Sequence, residues 1–171
     1  MIVDKGQQSG IVAGQPAIDE TGVVGQVTRV FPFSAEITLI TDKDQAVPVQ
    51  IVRSGQRSVV FGLGNGQLEL RYMPANADVQ VGDILVTSGL DGVYLPGFPV
   101  AKVVNIERDS AYSFARIFCV PVAGVENFGE IMVLNPRQPL PEAPPESVGR
   151  GSDSGEKNGQ RPKKKRAAKG N

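Results

Sequence analysis

Residues 22–41 read GVVGQVTRVFPFSAEITLIT, and this stretch decides the fold class. The run 22–30 is rich in valine, and the run 35–41 alternates so that Ile37 and Leu39 share one face of an extended chain. Both patterns are typical of β-strands, and the short segment 31–34 between them contains a proline. We therefore expect two neighbouring strands that are joined by a turn.

The same pattern continues to about residue 134. Short runs rich in Val, Ile, Thr and Phe recur roughly every 8–12 residues and are separated by Gly, Pro, Asn or Asp, which indicates an all-β barrel or sandwich. Asn65-Gly66 lies between the runs 58–62 and 68–72 and predicts a hairpin turn there. No segment sustains the spacing of an amphipathic helix over three turns. We expect very little helix.

The two halves of this region resemble each other. A shift of 76 positions aligns five pairs of similar residues, namely Val24 with Val100, Val27 with Val103, Val30 with Ile106, Ser34 with Ser110, and Ala35 with Ala111. A break in the strand pattern falls at 73–78. We therefore predict two tandem small β-barrel-like subdomains, 1–74 and 75–136. The sequence leaves open whether the first strand of one half pairs with the other half.

Residues 137–171 differ in composition from the rest of the chain. Residues 1–136 contain 9 Lys+Arg and 14 Asp+Glu, a net of −5, whereas residues 137–171 contain 9 and 4, a net of +5. The segment is rich in proline and then in Gly and Ser, so it buries too little apolar surface to offset the entropy of ordering. We predict a disordered, basic C-terminal tail.

The composition excludes several chemistries. The chain has no histidine and one cysteine, so Ser-His-Asp and Cys-His catalysis are impossible, as is a zinc site built from His or from two Cys. We predict no catalytic residue, no metal and no cofactor. A hydrolase on a chymotrypsin-like pair of barrels, with a nucleophile such as Ser88, is a less favoured alternative.

Two groups of residues are candidates for contacts with other molecules. Aromatic side chains near turns are hard to bury and are enriched at protein interfaces, and the candidates here are Phe31, Phe33, Tyr94, Phe98 and Tyr112. The tail carries the densest basic cluster, with Lys163, Lys164, Lys165, Arg166 and Lys169 as candidates for contact with an anionic surface. It has no aromatic residues for base stacking, so we expect no sequence-specific nucleic-acid binding. A polyanion or membrane-surface binding module is therefore the alternative function.

Several blocks in order resemble one protein family. These blocks are Gly22-Val-Val-Gly-Gln-Val, Leu39-Ile-Thr-Asp42, Val47-Pro-Val49, Asp78-Val-Gln-Val-Gly-Asp83, Thr87-Ser-Gly-Leu90 and Gly97-Phe-Pro-Val100. Together they are similar to the rod shape-determining family MreC over about residues 6–134.

The resemblance implies a non-enzymatic scaffold of bacterial cell-wall elongation. Members of the family self-associate and bind MreD and the class B penicillin-binding protein of elongation, which helps to activate peptidoglycan synthesis. The resemblance also implies a periplasmic location with an inner-membrane anchor. This chain has no apolar run of the 18–20 residues that a membrane helix needs and no heptad segment, so we expect it to be the soluble part of a longer protein.

Overall fold

A computed structural model describes residues 1–124 and 129–135, and within them the chain is almost entirely β-structure. Among these described residues a single 3₁₀ turn occurs, over Gln7–Ser9. The strands are β1 Ile2–Val3, β2 Pro16–Ile18, β3 Val23–Val30, β4 Ala35–Leu39, β5 Ala46–Ile51, β6 Arg57–Gly62, β7 Leu68–Arg71, β8 Ile84–Thr87, β9 Pro99–Glu107, β10 Arg116–Pro121 and β11 Met132–Val133. The all-β class and the near absence of helix are confirmed.

The strands form two sheets. Six strands close into a barrel in the order β10-β7-β6-β5-β8-β9, and five form a curled sheet in the order β1-β4-β3-β2-β11, which we call the half-barrel. All strand pairs are antiparallel. Three of the five residue pairs that match after the shift of 76 lie on the long strands β3 of the half-barrel and β9 of the barrel.

The sheets do not divide where the sequence halves do. Strands β5 to β7 lie before residue 74, yet they complete the barrel with β8 to β10. The late strand β11 returns to the half-barrel, where Met132 pairs with Ile18. Strand pairing between the halves, which the sequence left open, is therefore the basis of this fold.

Each sheet has its own apolar core, and β4 leads from one to the other. Ile37 lies in the half-barrel core with Ile11 and Val27. Three residues later, Ile40 is buried in the barrel core, which also receives Ile18 from β2. Because side chains of the half-barrel strands fill part of the barrel core, the two sheets pack as one unit.

The predicted hairpin at Asn65-Gly66 is confirmed. Strands β6 and β7 pair antiparallel, with Gly62 opposite Leu68. Gly64 and Gly66 both have positive φ, at 78° and 81°, a conformation that glycine adopts without steric cost. The predicted disordered tail, 137–171, lies outside the described residues.

A charged network fastens the β5–β6 turn to the loop before β8. Arg53 donates from Nε to Asp83 Oδ1 at 2.8 Å and from a terminal nitrogen to Asp78 Oδ2 at 2.8 Å. Asp83 is buried and also accepts a hydrogen bond from the backbone N–H of Gln80. The hydrogen bonds from Arg53 lower the pKa of both carboxyl groups.

We expect Asp83→Asn to lower the free energy of unfolding at pH 7 by about 2 kcal/mol, because charge-assisted hydrogen bonds in a buried site are lost. A lowered folded-state pKa stabilises the protein above the unfolded pKa, and this stabilisation is lost as pH falls through the folded value. The difference in free energy of unfolding between the wild type and Asp83→Asn should therefore shrink below about pH 4. Urea denaturation at several pH values measures this difference. A difference that does not change with pH contradicts the stabilising role of the ionised Asp83 carboxylate. Exposed Asp44→Asn is the control and should change stability by less than about 0.5 kcal/mol.

Candidate interaction surfaces

The structure separates the five aromatic residues predicted to contact partners. Phe31, Phe33 and Tyr112 are well exposed, at 47 %, 69 % and 68 %. Phe98 is partly buried and packs against the barrel core. Tyr94 is only 4 % exposed, so its place among the surface candidates is wrong.

Tyr94 is buried because its loop folds inward. The carboxylate of Asp91 accepts hydrogen bonds from the backbone N–H groups of Val93 and Tyr94, which tightens the turn before the ring. The ring then enters the barrel core. Burial raises the pKa of the Tyr94 hydroxyl, which has no hydrogen-bond partner among the described residues.

The turn that carries Phe31 and Phe33 is held by backbone hydrogen bonds. The backbone N–H of Phe31 donates to Ser34 O at 2.8 Å, and that of Gln7 donates to Phe31 O at 2.9 Å. The 3₁₀ turn is thus hydrogen-bonded to the β3–β4 turn. Both phenyl rings are presented to solvent on a fixed backbone.

A second exposed surface lies on the outer side of β6, β7 and β10. We call it the arginine–aromatic face, and it consists of Phe61, Arg71, Tyr72, Phe114, Arg116 and Phe118. The guanidinium carbon of Arg71 lies 4.5 Å from the centre of the Phe61 ring, and that of Arg116 lies 5.3 Å from the centre of the Phe118 ring. Glu69, whose side chain is largely buried, lies between them, with Oε2 2.8 Å from Arg71 Nε and Oε1 3.8 Å from Arg116 Nε.

An extra residue in the strand turns Tyr72 onto this face. Leu70 pairs with Ile117 and Pro74 with Phe114, so four steps along one chain match three along the other. Tyr72 has φ of 64°, the only positive value among non-glycine residues that the structure describes. Such a bulge redirects a side chain, and the Tyr72 ring meets the Phe61 ring edge-on at 6.0 Å.

The sequence contains one signal for this face. Residues 112–120 alternate Tyr, Phe, Arg, Phe with Ser, Ala, Ile, Cys. The structure buries Ala115, Ile117 and Cys119 of the second set and leaves Phe114 and Arg116 of the first set exposed. No sequence pattern predicts that Phe61 of β6 belongs to this face or that a bulge occurs at Tyr72.

The groups that could support catalysis are isolated. The Ser88 hydroxyl is buried and makes no hydrogen bond within residues 1–124 and 129–135. Burial raises the pKa of the Cys119 thiol to about 12. A groove of about 920 Å³ between β1 and β11 has a mixed lining, which includes Val3 and Ile131 as well as the charged residues Asp4, Lys5 and Glu130. Across the described ranges, no group of three or more His, Cys, Asp or Glu could hold a metal ion.

The described part of the chain also contains no helix that is long and apolar enough to cross a bilayer.

Comparison with known proteins gives a consistent set of matches. Residues 1–135 match the family model described as "Rod shape-determining protein MreC, barrel core". The cell shape-determining protein MreC of Escherichia coli is 38 % identical over 135 residues, which cover 78 % of this chain and 37 % of that protein. The chain therefore spans little more than a third of the length of that relative.

Solved structures share the architecture. The crystal structure of MreC from Pseudomonas aeruginosa matches with a TM-score of 0.77 and 39 % identity, covering 78 % of this chain and 87 % of the other. MreC of Helicobacter pylori, solved in complex with the penicillin-binding protein PBP2, matches with a TM-score of 0.50 and 20 % identity, covering 63 % and 76 %. At that identity the second match concerns the fold alone.

Proposed function

Because this chain belongs to the MreC family of non-enzymatic cell-shape proteins, we propose that it acts as a periplasmic scaffold of bacterial cell-wall elongation. In this role it maintains rod shape by self-association and by binding and activating peptidoglycan synthases. The single observation that carries the proposal is the match of residues 1–135 to the barrel core of that family.

The arrangement of the sheets supports a binding role. Two small β-modules pack as one body, and each presents aromatic side chains on well-supported backbone: Phe31 and Phe33 on the half-barrel, and Tyr112 beside the arginine–aromatic face. Exposed aromatic residues of this kind anchor protein interfaces. Binding one conformation of a synthase more tightly than another would shift that enzyme toward its active form.

The proposed partners are a second copy of this protein, MreD and the class B penicillin-binding protein of elongation. The complex of the Helicobacter pylori relative with PBP2 supports the last of these. The protein is proposed to be anchored in the inner membrane. Contact of Lys163, Lys164, Lys165, Arg166 and Lys169 with anionic lipid stays a prediction, because these residues lie outside the described ranges.

The test is light scattering coupled to size exclusion, over a concentration series, on the 171-residue chain with and without the periplasmic domain of the class B penicillin-binding protein from the same bacterium. We expect a mixed complex, and a mass that rises with concentration for the chain alone. A monomer that elutes separately from the penicillin-binding protein at every concentration contradicts the proposal. Bovine serum albumin in place of the partner controls for nonspecific association.

A further inference from the structure

The arginine–aromatic face concentrates the residue types that dominate protein interfaces. Arginine, tyrosine and phenylalanine are enriched at the centres of interfaces, whereas lysine is depleted. All six residues of the face belong to the enriched types. Tyr72, Phe114 and Arg116 are more than half exposed, at 63 %, 55 % and, for the Arg116 side chain, 66 %.

The two arginines have unused hydrogen-bonding capacity. Arg71 donates from Nε to Glu69, and its terminal nitrogens make no hydrogen bond within the part of the chain that the structure describes. Arg116 approaches Glu69 and Glu107 only at 3.8 Å and 3.9 Å, beyond hydrogen-bond distance. A guanidinium group presents its N–H donors in a fixed fork that matches a carboxylate. The face can therefore accept carboxylates from outside.

The arginines are also held in place before any partner arrives. Each guanidinium stacks on a phenyl ring of a neighbouring position, Arg71 on Phe61 and Arg116 on Phe118. Tyr72 packs against Phe61 and has a backbone conformation that non-glycine residues rarely adopt, which persists only where the surroundings hold it. Side chains that are already ordered lose less entropy on binding.

We propose that the arginine–aromatic face binds the penicillin-binding protein, and that Arg71 and Arg116 pair with carboxylates of that partner around an apolar centre. This inference rests on the proposed function, since it assigns a surface to the partner named there. The complex of the Helicobacter pylori relative with PBP2 favours this partner as the occupant, and a second copy of this chain is the alternative that the experiment tests.

The experiment measures the affinity of the 171-residue chain for the periplasmic domain of the penicillin-binding protein by biolayer interferometry. We expect R71E/R116E to weaken binding by about tenfold or more, with R71K/R116K in between because lysine keeps the charge but loses the fork. Affinity of the wild type should also fall with added salt. The control R29E/K102E makes the same change in net charge at exposed positions outside the face, on β3 and β9, and should bind as the wild type does. Circular dichroism melts confirm that each variant is folded.

The outcomes separate the inference from the proposed function. If R71E/R116E binds as tightly as the wild type, or R29E/K102E weakens binding equally, the assignment of the face is wrong while the scaffold role stands. Light scattering of R71E/R116E without the partner tests the alternative occupant. If this variant has a lower mass than the wild type but binds the penicillin-binding protein unchanged, the occupant of the face is a second copy, and the assignment is wrong. If the wild type does not bind the partner at all, both are overturned.

Discussion

Leu70→Ala should lower the free energy of unfolding by about 3 kcal/mol, since removal of a fully buried leucine side chain costs roughly 2–5 kcal/mol. Leu70 is completely buried at the centre of β7. Its pairing partners are Val60 on β6 and Ile117 on β10, both of which point into the same core. These neighbours belong to strands that are fixed on both sides in a closed barrel, so they cannot move far to fill the cavity.

Chemical denaturation followed by far-UV circular dichroism measures this loss. Val52→Ala is the control, because Val52 is exposed on the outside of the barrel and truncation there should change stability by less than about 0.5 kcal/mol. Equal losses for the two variants would mean that the barrel is not the cooperative core of the protein.

Gly62→Ala should lower the free energy of unfolding by up to about 3 kcal/mol, which is the upper end of the range for overpacking. A Cβ at Gly62 would collide with backbone atoms of Thr41 and Asp42, including the carbonyl oxygen of each. These atoms belong to the connection that leads from β4 of the half-barrel to β5 of the barrel. Backbone cannot rotate out of the way as a flexible side chain can, so the connection itself must shift.

Thermal and urea denaturation of Gly62→Ala test this contact. Gly129→Ala is the matched control, because a Cβ there meets no atom of the described residues within 4 Å and the residue does not have a left-handed conformation. It should unfold as the wild type does. A Gly62→Ala protein with wild-type stability would show that the connection adapts freely, and that β4 and β5 are not closely coupled.

Local patterns predicted much of this fold because they depend on neighbouring residues. Alternation in the run 35–41 and the Asn65-Gly66 pair correctly predicted strand β4 and the hairpin. The division into two sheets depends on which strands pair across long stretches of sequence. The similarity of the two halves after a shift of 76 positions does not indicate that pairing. Strands β5 to β7 therefore joined a barrel that the sequence halves did not predict.

The interaction surfaces show the same limit. Proximity to turns predicted exposure correctly for Phe31, Phe33 and Tyr112, because a turn leaves little core on either side. It failed for Tyr94, whose ring enters the barrel core directly after a turn that hydrogen bonds to Asp91 close. Alternation grouped Phe114 and Arg116 on one side of a strand, but it could not decide whether that side faces solvent.

The return of β11 to the half-barrel has a consequence for the order of folding. Residues 46–121 form the whole barrel as one uninterrupted segment, nested between the two parts of the half-barrel. The barrel can therefore close before the chain beyond it has emerged from the ribosome or a translocation pore. Strands β1 to β4 of the half-barrel precede the barrel in the chain, but its edge strand β11 can be added only when Met132 and Val133 pair with residues more than a hundred positions earlier. Contacts so distant in sequence form slowly, so we expect β11 to join the half-barrel after the nested barrel has closed.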